Sequence, residues 1–268
     1  MPFTPTHVVA VLPLWPLRQW LPFSALAIGA MVPDLGMFLP VVGYSKTHTP
    51  LGVFTNCVPA GVAVFFLFEL LLRRPLVAML PSWFQGRIEP GSLLPKSPRS
   101  EIHLLLYGGV VLAIIIGAFT HQIWDAFTHE GRWGTRLIPA LNRVLMVGDF
   151  AVPGYKLLQY GSTFVGLPLL ATFALRSLMR VHPLVDVESV SLRMKLLIWS
   201  AISIIPALVG VFAFFRESSG YRAVGATVKL SGAIVMILLV LYSCVYHILR
   251  ARTHPEHLLH NQSANRRT

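Results

Sequence analysis

Three stretches of this chain, residues 157–175, 196–215 and 230–249, contain no Asp, Glu, Lys or Arg. Each has about the length an α-helix needs to cross the hydrocarbon core of a bilayer, where roughly 20 residues cover about 30 Å. A backbone in lipid must satisfy its own N–H and C=O groups, so uncharged runs of this length are expected as helices. Two further regions follow the pattern with polar ends. Residues 52–72 are apolar until Glu69 and stop at Arg73 and Arg74. Within residues 102–128, the run LLLYGGVVLAIIIGAF turns into THQIWDAFT. The chain therefore reads as an all-α integral membrane protein of about five transmembrane helices. Residues 19–42 are also apolar but carry Pro22, Pro33, Asp34, Gly36 and Pro40. Broken backbone at membrane depth is tolerated only where protein or a wet cavity covers it, so this stretch is expected to form an N-terminal broken or re-entrant hairpin.

Composition removes the other classes. Only 12% of the 268 residues are charged, while 54% are hydrophobic. Soluble domains carry roughly 25% charged residues, and disorder requires low hydrophobicity. The net charge is +11, yet the basic residues lie in short loops between apolar runs, which argues against nucleic acid as a partner and for membrane lipid. Cys57 and Cys244 sit inside apolar runs and form neither a zinc pattern nor a disulfide framework. The start, MPFTPTHVVAVLPLWP, lacks a basic residue before its apolar part and does not read as a cleavable signal peptide. Of the Lys and Arg residues, 13 fall in the 73–103 loop, the 176–195 loop and the tail from Arg250, against 9 on the alternate face of five spans. The excess places that side, with the C-terminus, in the cytoplasm of a multi-pass cell-membrane protein. Three regions result: a site-bearing part over 1–160, three further helices over 161–249, and a polar tail over 250–268.

The chemistry concentrates in His121-x3-Asp125-x3-His129. Each four-residue step on a helix turns the side chain by only about 40°, so all three project from one stripe. A His and an Asp one turn apart can bind a divalent metal, and the third residue can reach a second ion or orient water. An interfacial helix end where these groups simply meet water is the plainer alternative. His48, in Lys46-Thr47-His48-Thr49-Pro50, precedes the 52–72 span, with Thr47 or Thr49 placed to cap that helix. Two crossings separate it from His121, so both groups belong to one membrane face. Asp34 follows Pro33 in an apolar setting, where an unpaired carboxylate is costly and calls for a cation or a hydrogen-bond cluster; a solvated turn is the other reading. His7 falls in the first turn of a helix if Thr4 is its N-cap. Glu130 adjoins His129 and is a candidate general base, although neighbours on a helix point about 100° apart.

MPFTPTHVVAVLPL, AMVPDLGMF, THTPLG, HQIWDAFTHEGRWG and LQYGSTFVGL together resemble an uncharacterised multi-pass membrane family, the domain of unknown function 4184, over most of residues 1–180. The ordered set His, Pro-Asp, Thr-His and His-x3-Asp is also similar to membrane-bound metal-dependent hydrolases, and more loosely to zinc-dependent phospholipases C and nucleases. That resemblance implies His7, Asp34, His48, His121 and Asp125 as metal ligands, with His129 as a sixth. The hydrolase family's second acid after Pro33 is replaced here by Asp34-Leu35-Gly36, which puts a second metal in doubt.

The expected function is a membrane-embedded metal-dependent hydrolase, holding a divalent ion such as Zn²⁺. Its substrate would be a phosphoester or a lipid-linked molecule at the membrane surface, with Asp125 or Glu130 as catalytic base. A metal or ion transporter and a non-catalytic membrane scaffold are the alternatives. The same ligands would hold an ion in transit in the first and support helix packing in the second.

Overall fold

The structure is a computed structural model that describes residues 3–39, 43–88, 100–183, 189–217 and 220–253. Most of the expected tail, from His254 onward, lies outside the described residues. The chain separates into two compact units, one formed by Met1–Phe66 with Leu94–Val181 and the other by Leu67–Leu93 with His182–Thr268.

The first unit opens with a 3-10 helix, Thr4–Leu17, containing Pro13 and Pro16. Fourteen residues is long for this conformation, which normally appears in short pieces. Thr4 is not its N-cap, contrary to expectation. Phe3 holds that position without a side-chain cap, and the Thr4 hydroxyl is used elsewhere. Next come α1 (Phe23–Met31), a 3-10 turn at Val32–Asp34 and a last helical turn, Leu35–Phe38. The apolar hairpin segment is thus broken at Pro33, which has no N–H to continue the helix. Pro50–Met79 (α2) is capped by Thr49, whose Oγ1 accepts from the Gly52 N–H at 2.9 Å, with Pro50 in the first turn as the sequence leads one to expect. A π-helical turn at Val53–Cys57 follows.

Ser100–Thr128 (α3) crosses α1 at very short range. A Cβ on Gly29 would lie 2.5 Å from the Ile114 carbonyl oxygen, and one on Gly117 would lie 2.5 Å from the Leu26 carbonyl oxygen. Only glycines allow this approach, as at the small-residue interfaces of membrane helices. After α3 come α4 (Trp133–Leu137) and an antiparallel hairpin of β1 (Val144–Val147) and β2 (Phe150–Pro153), absent from the sequence-based picture. Val147 pairs with Phe150, so Gly148 and Asp149 form a two-residue turn, and Gly148 has the positive φ of +58° that such a turn requires. Gly154–Met179 (α5) completes this unit.

In the second unit α6 (Leu192–Arg216) and α7 (Gly220–Thr253) lie along each other. Thr227 and Ser231 of α7 donate to the carbonyls of Gly210 and Pro206 at 3.0 and 2.8 Å, with Gly210 leaving room for both side chains. The end of α2 belongs here. Its Glu69 and Arg73 form an i, i+4 pair at 2.8 Å, and the Pro75 carbonyl accepts from Tyr242 at 3.0 Å. Among the described residues five helices, α2, α3 from Leu106, α5, α6 and the Arg222–Arg252 part of α7, are long and apolar enough to cross a membrane. Large side chains on them such as Phe164 (79% exposed) and Phe215 (81% exposed) face outward, which suits lipid. The protein is an all-α membrane protein with one small hairpin added.

Candidate metal centre

His121 and Asp125 share one face of α3 within its last two turns, and both are buried. The rise of 1.5 Å per residue places His121 about 10 Å from the helix end. α1 stops at Met31, which leaves its last-turn carbonyls to find other partners. The Ala30 carbonyl takes the Nδ1–H of His121 at 2.8 Å. A carbonyl only accepts, so Nδ1 carries the proton and the other nitrogen, Nε2, presents its lone pair to the interior. His48 is set the same way. Its Nδ1 donates to the Tyr44 carbonyl at 2.9 Å, and the Thr47 hydroxyl, itself 2.7 Å from the Pro33 carbonyl, lies 3.1 Å from the same nitrogen.

Asp34 comes from the 3-10 turn created by Pro33. Its Oδ2 accepts from the Thr4 hydroxyl at 2.8 Å, which aims Oδ1 at the histidines. The Nε2 atoms of His48 and His121 each lie 3.6 Å from that Oδ1, and 3.5 and 3.4 Å from Asp125 Oδ2. The other oxygen, Asp125 Oδ1, faces His7 Nε2 at 3.6 Å. The His7 ring stacks on that of His121 with centroids 3.8 Å apart. Four segments distant in sequence therefore converge on one buried point.

These contacts are too long for hydrogen bonds, which run about 2.7–3.2 Å for N–H···O. Both nitrogens of His7, Nε2 of His48 and His121, Oδ1 of Asp34 and both oxygens of Asp125 are buried without a hydrogen-bond partner. Lone pairs facing lone pairs in a dry interior repel, and unpaired buried carboxylates cost several kcal/mol. A cation between them removes both penalties. Two ligand atoms about 2.0–2.2 Å from one ion at a tetrahedral angle lie roughly 3.3–3.6 Å apart, the spacing seen here. His7, Asp34 and His121 form one ligand-competent group, and His48, His121 and Asp125 a second that shares His121. These buried residues can hold a metal ion.

Electrostatics agree. Burial, followed by the neighbouring His121, brings the His7 pKa down to about 3, so its imidazole is neutral and available as a ligand. Burial also opposes charge on His48, but the facing carboxylates of Asp125 and Asp34 outweigh it and hold its pKa up at about 9. That site favours positive charge, whether proton or metal. Burial, and then the charges of Asp34 and Asp125, push the nearby Tyr44 phenol upward.

His129 lies at the rim. Its Nδ1 is 3.5 Å from Asp125 Oδ1 but also 3.1 Å from the Asp125 backbone carbonyl, and its Nε2 is 3.4 Å from Gln159 Nε2. Glu130 is not brought into the cluster. Its exposed carboxylate accepts from the Tyr155 hydroxyl at 3.3 Å. Three supporting residues escape sequence reasoning. Thr4 looks like a cap and instead fixes Asp34. Gln122, beside His121, donates to the Thr47 and Thr49 carbonyls at 2.8 and 3.1 Å and so holds the His48 turn. Arg132 donates to the His48 carbonyl at 3.4 Å.

A family model for the domain of unknown function DUF4184 matches residues 1–250. The chain belongs to this family. The match covers every residue of the buried cluster and, among the described residues, four membrane-length helices in full and the fifth up to Arg250. No curated protein and no solved structure matches it.

Proposed function

We propose that this DUF4184 protein is a membrane-embedded metal-dependent hydrolase acting on a phosphoester or lipid-linked substrate at the membrane surface. The observation that carries this reading is the set of seven buried, unpartnered nitrogen and oxygen atoms on His7, Asp34, His48, His121 and Asp125, with facing atoms 3.4–3.6 Å apart. His48, His121, Asp34 and Asp125 would hold the ion, with His7 closing the far side and His129 at the rim. Mixed imidazole and carboxylate ligands favour Zn²⁺. The bound ion would supply a Lewis acid that activates water and polarises a phosphoryl oxygen.

The chain's own groups do the rest. The Ala30 and Tyr44 carbonyls accept from Nδ1 of His121 and His48 and so turn Nε2 of each ring toward the ion, as partners behind metal-ligating histidines do. Thr4 holds Asp34 in one rotamer. Asp125 would hold the ion through Oδ2, while Oδ1, which faces His7 and His129, would take a proton from the attacking water. The location, at the end of α3 rather than mid-span, supports a substrate that reaches the site from the membrane surface.

Phosphate release from phosphatidate in nanodiscs and alcohol release from a soluble phosphodiester test the reaction. Release should cease with chelator, return with Zn²⁺ and be absent from Asp125→Ala. Stoichiometric metal without release from either substrate would reject hydrolysis and leave transport or scaffolding.

A further inference from the structure

Beside the cluster lies a cleft of about 100 Å³. His48 and Asp125 form its inner wall, Gln122 its side, and Arg132 and Trp133 its mouth. The cleft has room for an oxyanion of phosphate size. Asp125, with a side chain only 3% exposed and both oxygens unpartnered, opens into this same space.

Arg132 is the one Arg or Lys in the lining. It is held from both ends, by its own bond to the His48 carbonyl and by the Thr135 hydroxyl, which donates to its backbone oxygen at 2.9 Å. Among the described residues it pairs with no carboxylate. A divalent ion would balance Asp34 and Asp125, so the Arg132 charge is what remains at the mouth. A guanidinium fork matches two oxygens of a phosphate. Trp133, 55% exposed, offers an apolar ledge for whatever the phosphate esterifies.

We propose that Arg132 is the anion-binding residue of this cleft and that the group it receives is the phosphate of a phosphomonoester or phosphodiester. This rests on the hydrolase reading for its purpose but not for its test. Inorganic phosphate is titrated into the full-length protein in detergent, in Co²⁺-loaded and metal-free forms. The readouts are the Co²⁺ visible spectrum and the ³¹P line width. With Co²⁺ bound, Arg132→Gln should weaken phosphate binding at least about tenfold, the size of one lost charge-assisted contact. Co²⁺ content and the phosphate-free spectrum should not change, and Arg132→Lys should recover part of the affinity. Unchanged affinity in Arg132→Gln, or no phosphate binding by the wild type, overturns the proposal while the metal site stands. If no Co²⁺ binds, the hydrolase reading fails. The subsite is then decided by the metal-free protein: ³¹P broadening that Arg132→Gln abolishes sustains it, and no broadening overturns it. Competition separates the sources. Displacement of phosphate by glycerol 3-phosphate marks a free ester, displacement by phosphatidate in nanodiscs marks a lipid headgroup, and displacement by neither overturns the proposal.

Discussion

At the scale of single residues, the centre depends on groups that never touch the ion. Thr4 fixes one oxygen of Asp34 so that the other points inward. Thr4→Val removes that hydrogen bond with little change in volume, and losing a partner of this kind typically costs 10–100-fold in metal affinity. We expect that loss in a metal titration, and Thr4→Ser, which keeps the hydroxyl, should restore most of the affinity. Unaltered affinity would show that Asp34 needs no such support. Thr4 illustrates what a sequence hides. A threonine before Pro-Thr-His has the look of a helix cap, and only the fold reveals that its hydroxyl is spent on Asp34. Arg132 is hidden for a similar reason, since its charge counts equally as a loop residue that sets orientation. His121 and Asp125 were legible because helical spacing alone aligns them, and Asp34 because a carboxylate in an apolar run needs a partner.

At the scale of elements, the position of His121 follows from how closely α1 and α3 approach. Gly29 and Gly117 make the contact, and it brings the Ala30 carbonyl to His121 Nδ1. Gly117→Val would drive a side chain into the Leu26 carbonyl and the Ala30 amide, both backbone atoms that cannot swing aside. Overpacking of this kind costs about 1–3 kcal/mol or more, so the melting temperature in nanodiscs should fall and metal should be lost with it. Gly108→Ala, on the same helix but facing open space, should leave both unchanged. Equal behaviour of the two variants would remove the close approach as the cause. The helices themselves were legible from uncharged length. The β1–β2 hairpin was not, because its four-residue strands lie in a stretch too short for alternation to register. The 3-10 form of Thr4–Leu17 was equally hidden, as Pro13 and Pro16 indicate a broken helix without specifying what replaces it.

At the scale of the whole molecule, two questions remain physical: which membrane face the site serves, and whether the cluster is one site. The modest excess of Lys and Arg predicts that the C-terminus is cytoplasmic and that the 129–160 loop, with the cleft, faces the other side. In a variant with Cys57 and Cys244 replaced by Ala, a cysteine at position 146 should react with an impermeant maleimide on intact cells. One placed in the C-terminal tail should react only after permeabilisation. The reverse pattern would turn the site toward the cytoplasm. Convergence of His48 and His121 on one face was legible by counting crossings, whereas the joining of His7 and Asp34 to them required the path through Pro33. The most direct measurement is the metal content of the purified protein compared with His48→Ala and Asp125→Ala, each confirmed folded by its elution and melt. The wild type should hold at least one tightly bound divalent ion per chain, and both variants should lose it. A folded wild type without stoichiometric metal, or variants that keep it, would rule out a shared metal site.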